Sequence, residues 1–277
     1  MKEWLRVGST LDLDAIDTRA TPGFTGKKKD GEESLHAGVA EFADLQERLF
    51  AASRFGDRRS VLLVLQAMDT AGKGGIVKHV VGSVDPQGTH IHAFKAPTDE
   101  EKAHDFLWRV RAQLPEPGII GVFDRSHYED VLIHRVRGFS TPEVIEERYG
   151  IIADFERELA DAGTTIVKVM LHISPDEQKE RLAARLDDPA KHWKYNPGDL
   201  SERALWPQYM EAYEIALTRT STDAAPWYVV PADRKWYARL AVQTLVVDAL
   251  RGMHLTWPAA DYDVAAEKQK LAASVVE

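Results

Sequence analysis

The stretch SVLLVLQAMDTAGKGGIVKHVVGS, residues 60–83, sets the fold class. Its opening, SVLLVLQ (60–66), is a continuous apolar run rich in branched side chains. That length suits a strand buried on both faces, as in a parallel sheet. AMDTAGKGG (67–75) reads as a glycine-rich loop, and GIVKHVVGS (75–83) resumes helical spacing. Strand, loop and helix in this order build an anion site. Small residues let backbone N–H groups turn inward as a nest, and the helix adds its positive end. Gly72-Lys73 matches the Walker A pattern, but Ala67 replaces its first glycine and Gly74 stands where Ser or Thr is expected. Lys73 supplies a mobile charge for phosphate oxygens. The missing hydroxyl usually helps to hold magnesium, so Asp69 is the candidate carboxylate in its place. Thr70, Ala71, Gly72, Gly74, Gly75 and Lys78 complete the predicted anion-binding set. A plain turn with a surface lysine is the competing reading. Three glycines within residues 72–75 argue against it, since they make a poor helix start without a ligand.

The chain repeats the alternation outward from this point. Residues 89–95 (THIHAFK), 118–124 (GIIGVFD), 164–173 (TTIVKVMLHI) and 226–231 (PWYVVP) read as strands. Helical patterns cover 34–55, 97–113, 142–162, 175–186, 202–219 and 233–253, with Thr98 and Glu101 forming a capping box. Strands alternating with helices predict an α/β fold with a central parallel sheet covered on both faces. Ligands in such sheets sit at the carboxyl ends of the strands. The expected organisation is an N-terminal arm and amphipathic helix (1–57), one domain (58–257) and a C-terminal tail (258–277). Residues 1–33 read as an extended arm whose Lys27-Lys28-Lys29 run is solvated.

The second loop expected at the sheet's carboxyl edge is FDRSHYED (123–130). Asp124, at the end of an apolar strand, fits a Walker B role at magnesium, and Arg125 can grip phosphate through two N–H groups. His127 and His134 read as structural, because phosphoryl transfer relies on positioning and charge neutralisation more than on general bases. His90 and His92 share one strand face without a third ligand, so they read as surface or packed residues. Residues 175–195 gather Lys179, Arg181, Arg185, Lys191, His192 and Lys194, with aromatic Trp193 and Tyr195. This suits a lid, assigned to 175–200, that brings positive charge over bound phosphates. Arg181 and Arg185, four apart, share a helix face.

Composition narrows the chemistry. There is no cysteine, which removes disulfides, thiolate metal sites and cysteine nucleophiles. The N-terminus lacks the apolar core of a signal peptide and no run is long enough to span a bilayer, so a cytoplasmic, membrane-free protein is expected. A net charge of −9 argues against general nucleic-acid binding. A polyanionic substrate is still compatible, provided positive charge is gathered locally.

These residues resemble the polyphosphate kinase 2 family. The resemblance rests on MDTAGKGG (68–75), APTDEEKAHDFLWRV (96–110), LPEPGIIGVFDRSHYEDVL (114–132), the 155–194 segment and APWYVVPADRKWYAR (225–239), in family order. It implies a thymidylate-kinase-like P-loop fold, a three-layer sandwich with a helical lid. It also implies reversible phosphoryl transfer between inorganic polyphosphate and nucleoside mono- or diphosphates. The implied cofactor is Mg²⁺, with Mn²⁺ as a possible substitute, and the implied assembly is a homodimer or homotetramer. By the same resemblance, Asp69 and Asp124 organise the metal, while Lys73 and Arg125 hold the transferring phosphate. Arg181, Arg185, Lys191 and Lys194 fall in the lid as binding residues. Glu129 looks like the class III subgroup, which accepts both AMP and ADP. Two other readings stay open at this point: an ATP-using kinase on the same fold, and a binding regulator without turnover.

Overall fold

The computed structural model describes residues 1–274; the last three residues of the expected tail lie outside the described residues. Five strands form one parallel sheet: β1 (Ser60–Ala67), β2 (Thr89–Ala93), β3 (Ile120–Asp124), β4 (Thr164–His172) and β5 (Trp227–Pro231). Their order is β2-β3-β1-β4-β5, so β1 lies at the centre with β3 and β4 as neighbours. Every residue of β1 is buried, as its unbroken apolar run requires.

Alternate residues of β1 feed two cores. Val61, Leu63 and Leu65 join one cluster with helices α1 (Lys28–Ser53), α2 (Lys73–His79) and, later in the chain, Lys235–Gly252. Leu62 and Val64 join the other, with α3 (Pro142–Asp161) and Trp206–Thr220. The helix between these, which opens the segment expected as a lid, is α4 (Pro175–Leu186), so Trp206–Thr220 is α5 and Lys235–Gly252 is α6. The result is the predicted three-layer α/β/α sandwich. None of the described helices is long and apolar enough to cross a membrane.

The structure corrects several boundaries. α1 begins at Lys28, earlier than the periodicity at Leu35 suggests. Asp30 starts it by accepting from the backbone N–H of Lys27 at 2.7 Å, so two of the three lysines sit in the first helical turn. There they face Glu32 and Glu33 at helical spacing, in solvent. Gly31 of this turn lies against the Trp236 indole, where any Cβ would collide. The single helix expected over 97–113 is two short turns, Asp99–Lys102 and Trp108–Arg111. The Thr98–Glu101 capping box is present. Asp105 interrupts the run by accepting from the Leu107 amide at 3.0 Å. The helix expected from 202 starts at Trp206, after a separate turn at Asp199–Arg203.

The first 57 residues contribute to both cores. Leu5, Phe42 and Leu49 belong to one core and Val7 and Leu13 to the other. The arm lies along β5, with Val7 N donating to Trp227 O at 2.9 Å and an antiparallel bridge between Arg6 and Tyr228. In the tail, Val264–Ala273 forms an exposed helix, α7.

Candidate phosphate-transfer site

The loops after β1 and β3 line one cleft of about 1070 Å³ at the sheet's carboxyl edge. Strand register explains the meeting. Leu65 of β1 pairs with Asp124 of β3 in a parallel register, so the loops carrying Asp69 and Asp124 leave adjacent strands at the same edge of the sheet. Gly72 turns the first loop into α2 with φ +121, a conformation that favours glycine. A Cβ at Gly74 would meet nothing within 4 Å, so the place of the missing Walker hydroxyl is open space. Inside the loop, Thr70 Oγ1 is buried without a hydrogen-bond partner. A buried hydroxyl in this state is a donor awaiting an acceptor.

Charges alternate across the cleft. Lys73 Nζ donates to Ala67 O at 3.1 Å. Burial pushes its pKa down, against the pull of Asp124, Asp69 and Glu129. Arg125, at φ +67, donates from Nη2 to Asp69 Oδ1 at 3.0 Å. Burial opposes its charge, but Glu129, Asp69 and Asp124 together hold its pKa above the ordinary value. Glu129 has its pKa raised by burial, against Arg125 and Lys73. Gln66, with its amide turned to satisfy both neighbours, donates to Glu129 Oε1 at 3.1 Å and accepts from Ser126 Oγ at 3.1 Å.

Of the predicted residues, Asp69, Thr70, Ala71, Gly72, Lys73, Gly74, Gly75, Lys78, Asp124, Arg125 and Glu129 all line this cleft, as do Arg185, Lys191 and Lys194 of the lid. Lys191 pairs with Asp188 at 2.7 Å, and the Lys194 ammonium lies 4.9 Å from the centre of the Trp193 ring. Arg185 donates to Lys194 O at 2.9 Å. Arg181 is the correction. Its guanidinium is buried and donates to backbone carbonyls rather than facing the cleft. His127 is buried against Glu156, 3.3 Å away, and His134 lies 2.9 Å from Ser140 Oγ; neither faces the cleft. His90 is 3.3 Å from Gln113, and His92 stacks edge-on against Phe94.

Sequence reading missed a second basic wall. His79, Lys235 and Arg239 line the cleft beside Lys78 and Lys191. Burial, then the charges of Arg239 and Lys78, push the His79 pKa down. Burial, then Arg181, Arg239 and Lys191, do the same to Lys235. Lys235 and Arg239 sit four apart on α6, a spacing that marks a shared face. The apolar side of the cleft carries Leu132, Ile133 and the phenols Tyr209 and Tyr213.

Among the described residues no group of three His, Asp or Glu side chains is placed to hold an ion unaided. Two carboxylates on one phosphate-binding cleft suit magnesium, which takes one or two carboxylates and completes its shell with water and substrate phosphates. Asp69 and Asp124 fit that requirement.

A family model described as Polyphosphate kinase 2 (PPK2) matches residues 25–257. The chain belongs to the polyphosphate kinase 2 family. Among its relatives in this family, the AMP/ADP-polyphosphate phosphotransferase of Meiothermus ruber is 45% identical over 248 residues, covering 90% of this chain and 91% of the relative. The ADP-polyphosphate phosphotransferase of Rhodopseudomonas palustris is 41% identical over 267 residues, covering 91% and 89%. The crystal structure of Polyphosphate Kinase 2 from Arthrobacter aurescens TC1 superposes with a TM-score of 0.97 at 62% identity, covering 99% of this chain and 96% of that one. The polyphosphate kinase 2 family membership therefore extends over nearly the whole fold.

Proposed function

We propose that the protein transfers a phosphoryl group from inorganic polyphosphate to ADP and AMP, reversibly and with magnesium, in the cytoplasm. The observation that carries this reading is the basic wall. Lys78, Lys191, Lys235 and Arg239 line one cleft of a protein whose net charge is −9. Gathering like charges is unfavourable unless a polyanion neutralises them. A donor longer than a nucleoside triphosphate's own tail uses such a wall; a single phosphate does not need it. The names of the relatives, which specify polyphosphate with AMP or ADP, support the same substrates.

The terminal phosphate oxygen of the nucleotide attacks the terminal phosphorus of the polyphosphate in line; the new P–O bond forms as the last phosphoanhydride bond breaks, and polyphosphate one unit shorter leaves. Lys73 and Arg125 neutralise the charge that spreads over the transferring group. Asp69 and Asp124 would hold the metal ion, which when bound would supply positive charge to offset that of the phosphates. Glu129 supports the subgroup that accepts both AMP and ADP. A homodimer or homotetramer is the assembly we assign, to be read by light scattering.

The test is luminescent detection of ATP from ADP and polyphosphate as the sole phosphate source. ATP should form, stop on chelation and resume with Mg²⁺. Asp69→Ala and Asp124→Ala should each lower the rate by about 100-fold or more. No ATP from polyphosphate, with turnover from a nucleoside triphosphate donor instead, would replace this reading with an ATP-using kinase.

A further inference from the structure

All five N–H donors of the Arg181 guanidinium are occupied within the protein. Nε donates to Glu177 Oε1 at 2.7 Å, Nη1 to Thr70 O at 3.0 Å and Ala71 O at 2.8 Å, and Nη2 to Ala232 O at 2.7 Å and Asp233 O at 3.1 Å. The residue is 8% exposed. A guanidinium has no further donor and no acceptor, so nothing is left for a phosphate. The four carbonyls belong to two segments far apart in sequence, the phosphate loop after β1 and the turn after β5. Arg181 joins both to the lid helix α4.

The bonds also orient the loop. A trans peptide points its C=O and the next residue's N–H in opposite directions. With Ala71 O drawn onto Arg181, the N–H of Gly72 is directed away from it. Thr70, a β-branched residue, holds φ +67 in this loop. Such a conformation persists only when its surroundings over-determine it. One turn earlier on α4, Gln178 Nε2 donates to Asp69 O at 3.1 Å and Gln178 Oε1 accepts from Arg203 at 3.0 Å. The inner face of α4 is thus fastened to the loop at three successive carbonyls, those of Asp69, Thr70 and Ala71. The lid cations Arg185, Lys191 and Lys194 all lie beyond this fastening in the chain.

We propose that Arg181 is a positioning residue: it sets the peptide planes of the phosphate loop and locks the base of the lid to it, without touching substrate. The inference rests on the transfer reading above. It also divides the lid. The part up to Arg181 is bound to the loop, and only the part beyond it is free to close.

The experiment compares Arg181→Lys and Arg181→Met with the parent. Lysine keeps the charge but lacks the planar fork that reaches four carbonyls. Both variants should lose about 100-fold in kcat, as a small misplacement of reacting groups does. The KM for polyphosphate should stay within about threefold. In ligand-free protein, amide exchange should quicken at residues 70–73 and 232–234. Recovery of kcat by Arg181→Lys would overturn the proposal. So would a loss confined to the polyphosphate KM with exchange unchanged, the signature of a direct phosphate ligand. If neither variant kept the parent's circular dichroism, Arg181 would be a determinant of folding and the proposal would fall. The exchange comparison needs no substrate, so it stands even if polyphosphate proves not to be the donor.

Discussion

Replacing Lys168 by methionine should destabilise the protein severely, although the residue touches no substrate. Lys168 lies on β4 with no exposed surface. Its ammonium donates to Tyr128 OH at 2.8 Å, Thr220 O at 2.8 Å and the carboxylate of Glu156. It also lies 5.3 Å and 5.2 Å from the ring centres of Tyr128 and Trp227. Burial works against the Glu156 charge, but Lys168 first and then His127 hold its pKa below the ordinary value. Methionine fills the lysine stem and leaves that carboxylate with only Tyr128 OH at 2.8 Å and His127 at 3.3 Å. Breaking one side of a buried ion pair costs about 3–5 kcal/mol. In a chain of this size each kcal/mol lowers Tm by about 2–4 °C, so the expected loss is roughly 6–20 °C. Glu156→Leu should cost a similar amount. Independent sites would make the double variant about 6–10 kcal/mol less stable. The pair predicts a double variant no worse than either single one, because an apolar replacement of a buried pair is often neutral. Urea unfolding of the four proteins, followed by tryptophan fluorescence, measures this cycle. Additive costs, or a single variant within about 1 kcal/mol of the parent, would refute the reasoning.

Two further outcomes test the cleft. Lys235→Ala combined with Arg239→Ala should raise the KM for polyphosphate by about tenfold, leave the KM for ADP nearly unchanged and weaken the salt dependence of the donor KM. Equal losses for both substrates would mean that the basic wall is not specific to the donor. Glu129 has its pKa raised by burial, so the native protein binds more protons than the unfolded chain between pH 4.5 and the raised value. Unfolding free energy should therefore fall as pH rises through that window. Glu129→Gln should flatten this dependence in denaturation curves taken across the acid range; an unchanged slope would assign it to other carboxylates.

The sheet was legible wherever a strand is buried on both faces. SVLLVLQ ends within one residue of β1, because an apolar run of that length has no other way to be satisfied. The helical signal failed where a short side chain competed with the backbone. Asp105 takes the Leu107 amide and splits a run whose apolar spacing alone reads as one helix. The two acidic loops were readable from their strands. The basic wall was not, because Lys235 and Arg239 reach the cleft only through the packing of α6 against α2, β4 and β5. Arg181 and Arg185 show the limit most clearly. Spacing puts them on a common helix face, but not which of them meets carbonyls and which meets the cleft.

The arm along β5 has a consequence for how the protein keeps company with itself. A sheet margin offers unpaired amides to any extended chain that drifts past. Here residues 6 and 7 already occupy one margin, and the hydrogen bond from Val7 to Trp227 takes a carbonyl that a stray strand would seek. A proteolytic nick that released those few residues would leave the loops after β1 and β3 untouched. It would uncover a sticky border, so solubility would fail before chemistry did.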